Sequence, residues 1–232
     1  LSYSINLFSM KNSFFAGLLS LTLMISCQPG KQQLTNYVNP FLGTATLWET
    51  KDLGYERHLK TRTWGAEVFP GSSVPNAMVQ LSPVTQFRSG AGYQYEDTVI
   101  YGFSHTNKGH WNLLHLPILP VTGNVSSDDY ASKYSHTNES AHPGYYQVFL
   151  ERYGVNAELT STLRCAYHKY TFRPDDDKKV LVDITRTNNG VRDWSIQKVD
   201  DHTFSGNQDA EGNIRFYAVS NYKIQDIKQL KD

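Results

Sequence analysis

Glycine and proline punctuate the stretch from Trp64 to Gly123 too densely for a helix of ordinary length to form. It begins Trp64-Gly65-Ala66-Glu67-Val68-Phe69-Pro70-Gly71, passes through Gly92-Tyr93-Gln94-Tyr95 and reaches Gly102-Phe103-Ser104-His105-Thr106. Proline removes a backbone donor and glycine admits left-handed backbone, so each such residue ends an element rather than extending one. Aromatic and hydroxyl side chains gather at the same turns. The stretch predicts shaped loops carried on a sheet.

Beyond it the dominant period is two. Val155, Ala157, Leu159, Ser161 and Leu163 alternate with Asn156, Glu158, Thr160 and Thr162, and Tyr146, Val148 and Leu150 alternate with their neighbours. Ala166, His168, Tyr170 and Phe172 continue the pattern, and Pro174-Asp175-Asp176-Asp177 predicts a solvated hairpin turn into a strand in which Val180, Val182 and Ile184 alternate around Asp183. A late strand through Ile214, Phe216 and Ala218 follows Gly212-Asn213. The expected class is all-β, an antiparallel multi-stranded β-sandwich.

The N-terminal end reads differently. Residues 1–9 precede Met10 and are expected to be non-native upstream sequence; residues 10–27 read as a lipoprotein signal peptide and 28–36 as a polar tether. Lys11, the apolar run Phe14 to Ile25 and the close Met24-Ile25-Ser26-Cys27 resemble a bacterial lipobox, so Cys27 is the expected lipidation site. This places the chain in the bacterial cell envelope, touching the membrane through its lipid alone. Cys165 is then the one remaining thiol and an internal disulfide is excluded. Removing the signal removes Lys11 and leaves 21 basic against 22 acidic residues, a balance that lacks the basic face nucleic acid needs. An aromatic share of 13% suits a neutral sugar ligand.

The loop motifs, joined by Tyr37-Val38-Asn39-Pro40-Phe41-Leu42-Gly43-Thr44 upstream and Pro143-Gly144-Tyr145-Tyr146 and Ala157-Glu158-Leu159-Thr160 downstream, closely resemble the N-terminal domain of glycoside hydrolase family 92. The resemblance implies a supersandwich of galactose-mutarotase type over residues 37–232, calcium-dependent and inverting removal of terminal α-mannosyl residues from glycans, and catalytic carboxylates in a C-terminal helical-barrel domain absent from these residues. Calcium is expected only together with that domain, and mannose-containing glycans and the domain itself are the expected partners. No turnover is expected of this chain alone.

The same resemblance places Gly43-Thr44, Trp64-Gly65, Phe69-Pro70-Gly71 and the segment after Ser104-His105 on a pocket wall. The substrate-binding residues it implies are Trp64, Gly65, Tyr93 and His105, with no catalytic residue and no metal ligand in this half. Two departures fall at these positions: the charged insertion Lys51 to Lys60, and Asn107-Lys108-Gly109-His110-Trp111 after Ser104-His105-Thr106. They put the usual mannoside specificity in question. The residues themselves mark no facing pair among Glu49, Glu56, Glu67, Glu96 and Asp97, although hydrolysis of a glycosidic bond needs two carboxyl groups. His105, His110 and His115 lie five apart in proline-flanked chain, a poor frame for zinc, and Lys178-Lys179 breaks the calcium-loop pattern after Asp177. The competing reading is a non-catalytic carbohydrate-binding or structural surface lipoprotein.

Overall fold

A computed structural model describes residues 33–46, 65–107 and 113–230. The chain divides into two units, residues 1–36 and 37–232. In the first, the Asn36 N–H donates to the Gln33 carbonyl at 3.0 Å. Every strand among the described residues lies in the second.

The alternating segments fold as read. Strands β6 (Glu139–His142), β7 (Tyr145–Leu150), β8 (Val155–Ser161) and β9 (Ala166–Thr171) form one antiparallel sheet in that order. Pro143 and Gly144 close the first hairpin, where Gly144 takes φ +81°, a left-handed value that glycine adopts without strain. The register sets Tyr146 opposite Leu159, Val148 opposite Ala157 and Leu150 opposite Val155. All six are buried, and the residues between them face outward.

These side chains pack against a second antiparallel sheet, ordered β1 (Ser82–Val84), β3 (Gly102–Ser104), β4 (Ile118–Val121) and β10 (Lys179–Val182). Leu81, Phe103, Leu119 and Val121 supply its part of the core, and Phe103 meets Tyr146 edge to face at 6.3 Å between ring centres. β2 (Val99–Ile100) pairs with β5 (Ser132–Lys133), adding Ile100 to the same core. Among the described residues there is no α-helix. The protein is an all-β, multi-sheet antiparallel sandwich.

A third sheet runs β11 (Asp193–Lys198), β12 (Thr203–Ala210) and β13 (Gly212–Val219). Its register aligns Trp194, Ile196, Phe204, Ile214, Phe216 and Ala218 on one face, where they are half-buried.

Two expectations fail at β10. The Asp175–Asp177 turn is not a hairpin, because β9 and β10 lie in different sheets and the chain crosses between them. Nor does the alternation hold: Val180 is 48% exposed while Asp183 and Ile184 are both buried. β10 is an edge strand, and the Asp183 N–H adds one more in-register bond, to the Pro117 carbonyl at 2.9 Å, beyond the last paired residue Val182. The Asp183 carboxylate turns inward to accept from the Tyr130 hydroxyl and, at 3.1 Å, from the Thr185 hydroxyl.

Candidate functional site

The loop-rich segments are tied to one another by backbone contacts too close for side chains. At Gly65 a Cβ would sit 2.3 Å from the Ala45 carbonyl oxygen and 2.4 Å from that of Gly43, and the next N–H, Ala66, donates to Gly43 at 2.8 Å. Thr44 in turn accepts from the Tyr95 N–H at 3.2 Å. The Thr46 N–H reaches the Glu96 carboxylate at 3.0 Å. Gly90 lies against the Glu67 side chain with no room for a Cβ, which would fall 2.7 Å from Glu67 Oε1. Segments 41–46, 65–71 and 86–96 therefore form one loop cluster.

Backbone strain concentrates in and beside it. Five of the described non-glycine residues have left-handed φ; one is Asn76, a residue that tolerates it, and the others are Glu67, Arg88, Leu114 and Leu116 at φ 52° to 56°. Each such bulky residue costs on the order of 1–3 kcal/mol, and residues of this kind cluster at functional sites. Asn188 holds one of these turns at two points: its side-chain oxygen accepts from the Arg88 N–H at 2.6 Å and its amide nitrogen donates to the Ser89 carbonyl at 2.8 Å. Leu114 fills the space over Gly92, where a Cβ would lie 2.6 Å from its Cδ2.

Between the two strained leucines sits His115, fully buried. Its Nδ1 and its backbone N–H both meet the Thr106 hydroxyl, at 2.8 and 3.0 Å, while Nε2 has no hydrogen-bond partner among the described residues. Burial holds its pKa below the ordinary histidine value. A buried unpaired nitrogen costs about 1–3 kcal/mol and calls for an explanation of its own.

The residues expected at the wall divide. Gly65 is in the cluster; Trp64, like Cys27, Glu49 and Glu56, lies outside the described residues. Tyr93 is not at a surface: it is 0% exposed and its hydroxyl donates to Glu139 at 3.1 Å, with burial and that carboxylate pushing its pKa far up. It is a post of the core, closed to a sugar. His105 likewise has both ring nitrogens committed, Nδ1 to the Leu116 carbonyl at 2.7 Å and Nε2 to His168 Nε2 at 3.1 Å. A bond to a mannose hydroxyl would break one of these. The Phe69-Pro70-Gly71 turn is locked to the sandwich, since a Cβ on Gly71 would lie 1.7 Å from the Leu81 carbonyl oxygen.

Sequence reasoning passed over Glu139 and Asn188, whose partners are remote in sequence, and weighed His115 only as part of a poor zinc frame. Glu96 and Asp97 brace loops, Asp97 accepting from the Thr85 hydroxyl at 2.7 Å. Among the described residues no three His, Cys, Asp or Glu side chains are grouped to hold a metal ion.

Fold and loops together define a β-sandwich module that presents a wall of strained turns beside a closed core. The chain belongs to the family described as the glycosyl hydrolase family 92 N-terminal domain, whose model matches residues 37–230. It is similar to a family 92 α-mannosidase of Bacteroides thetaiotaomicron, at 30% identity and TM-score 0.70 over 84% of this chain and 27% of that one. The same enzyme in complex with mannoimidazole matches at 29% identity and TM-score 0.70, over 84% and 26%. A family 92 inverting mannosidase of Bacteroides thetaiotaomicron matches at 25% and TM-score 0.62, over 78% and 23%. The chain thus spans about a quarter of the length of these mannosidases. No curated protein matches.

Proposed function

We propose that this domain builds one wall of the sugar site of an exo-acting α-mannosidase, and that the hydrolytic carboxylates and a calcium ion belong to a second domain that docks against it. The observation that carries the reading is the strained cluster around Gly65, which lies in the segments the family resemblance assigns to the pocket wall. Glu96, Asp97 and Glu139 already brace loops or core, which supports placing the acid and base elsewhere. Among the described residues no three His, Cys, Asp or Glu side chains are grouped to hold the ion.

General acid and base are each worth roughly 10² to 10⁴ in rate. The chain alone is expected to release no mannose from aryl α-mannosides. Joined to the catalytic domain of a family 92 relative it gains activity with inversion at the anomeric carbon. Gly65→Ala then lowers that activity at least about tenfold, because the new methyl drives the Gly65 loop off Gly43 and Ala45, and a displacement near 1 Å at a positioning loop costs on the order of 10² in rate. Robust hydrolysis by the isolated chain would place acid and base in this half and overturn the reading.

The anchoring of the domain follows from its N-terminal residues. Lys11, the apolar run and Met24 to Cys27 support lipidation at Cys27 and residence in the bacterial cell envelope. Labelled palmitate is expected to enter the expressed protein and to vanish in Cys27→Ala; equal labelling of both refutes it.

A further inference from the structure

The alternation that buries Tyr146, Val148, Val155 and Ala157 turns Gln147, Phe149 and Asn156 to the opposite face of the β6–β9 sheet. Phe149 lies directly opposite Asn156, and Gln147 opposite Ser140 on the other side. With Thr137 and Asn138 these residues line a shallow depression of about 500 Å³. Gln147 Nε2 donates to Asn156 Oδ1 at 3.2 Å, and Gln147 Oε1 lies 2.8 Å from the Tyr145 hydroxyl, whose one proton it shares with the Glu158 carboxylate at 2.9 Å. Those bonds fix both amides and leave Asn156 Nδ2, the second Gln147 N–H, the Asn138 amide and the Ser140 hydroxyl without a protein partner among the described residues.

The rim is pinned from beneath. His136 opens the short 3₁₀ turn His136–Asn138, and its ring nitrogens lie 2.6 Å from the Glu139 carboxylate and 2.6 Å from the Tyr95 carbonyl while the ring stacks on Tyr95. Glu139, with a side chain 1% exposed, also receives the Tyr93 and Tyr146 hydroxyls, and Ser135 caps the turn by accepting from the Thr137 N–H. The one charge in the lining is thus turned inward. What lines the depression toward solvent is uncharged, three amides, two hydroxyls and an aromatic ring, and the Glu158–Lys169 ion pair stands beside it opposite Gln147.

That set matches a neutral pyranose. Vicinal hydroxyls pair with a carboxamide as donor and acceptor at once, and the C–H face of the ring packs on an aromatic side chain. Anionic ligands find no cation in the lining, and nucleic acid no basic face. We infer that the depression bounded by Asn138, Gln147, Phe149 and Asn156 is a binding subsite for neutral oligosaccharide. Pinned side chains lower the ordering cost, but a shallow site covers little of a sugar, so dissociation constants near ~1 mM are expected.

The test is native affinity electrophoresis of the full chain through gels containing soluble yeast α-mannan, dextran or xylan. Retardation by at least one of them is expected. Phe149→Ala and Asn156→Ala each lose most of that retardation with melting temperatures unchanged within about 2 °C, Phe149→Tyr retains it, and Tyr217→Ala, on an exposed position of β13, behaves as the parent. Migration unaffected by all three polysaccharides overturns the subsite, as does retardation that survives in the Phe149→Ala/Asn156→Ala double variant. No hydrolysis is read, so the outcome is independent of the mannosidase reading.

Discussion

Leu159→Asp is expected to unfold the domain, while Thr160→Asp, one residue on, leaves its melting temperature within a few degrees. Leu159 is 1% exposed and sits in the register between Tyr146 and His168, inside the contact of the two main sheets. Losing a buried leucine costs about 2–5 kcal/mol, and the carboxylate set in its place has no cation to pair with, adding several more. A domain stable by roughly 5–15 kcal/mol does not absorb that sum comfortably. Thr160 faces solvent and forfeits one hydroxyl bond, 2.8 Å to the Gly144 carbonyl, worth about 1 kcal/mol. Circular-dichroism melts of both variants decide the matter. Unfolding by Thr160→Asp with Leu159→Asp melting like the parent would mean that the register of β8 is inverted, because a one-residue slip exchanges the two faces.

That register is readable from the sequence for a physical reason: the β6–β9 sheet is dry on one face and wet on the other, so burial writes itself into the sequence as alternation. The partner sheet shows no such signal. Ser82–Val84, Gly102–Ser104 and Ile118–Val121 are buried at every position, and a strand covered on both faces loses its period of two. β10 fails in another way, as an edge strand that pairs once and then turns inward at Asp183, where a remote tyrosine supplies the partner.

The candidate site is legible as turns and illegible as chemistry. Gly65 announces a place where backbones meet, and the structure places two carbonyl oxygens there. Tyr93 and His105 sit in equally conspicuous motifs, yet their hydrogen bonds run to Glu139 and His168, 46 and 63 residues away, and make them internal posts. No local spacing carries that information. The oriented amides of Gln147 and Asn156 are legible only once β7 and β8 are paired in register.

The His105–His168 pair makes the sandwich acid-labile in a defined window. The Leu116 carbonyl can only accept, so His105 carries its hydrogen on Nδ1 and, when neutral, offers Nε2 as an acceptor. His168 must then donate from Nε2, and its Nδ1 accepts from the Tyr170 hydroxyl at 2.7 Å. A proton added to His105 Nε2 would set two N–H groups against each other. Burial accordingly lowers the pKa of His105 from 6.5 to about 4, and burial together with His105 lowers that of His168 as well. Both histidines are neutral in the folded state, whereas the unfolded chain protonates them below pH 6.5. Their contribution is therefore fully present above pH 6.5 and lost as the pH falls through 6.5 toward 4. For His105 alone that interval is worth roughly 3 kcal/mol, and in a domain of this size about 6–12 °C of melting temperature. The expected profile is flat from pH 8 to 6.5 and falls below it. Carboxylates titrate toward the lower end of the window, so the isolating measurement is the slope between pH 6.5 and 5 in a His105→Asn/His168→Leu variant, in which the introduced asparagine amide replaces the imidazole as donor to the Leu116 carbonyl. The variant starts at a lower melting temperature and loses most of the slope, keeping the share of buried His115; an unchanged slope would show that these two rings do not set the acid limit of the fold.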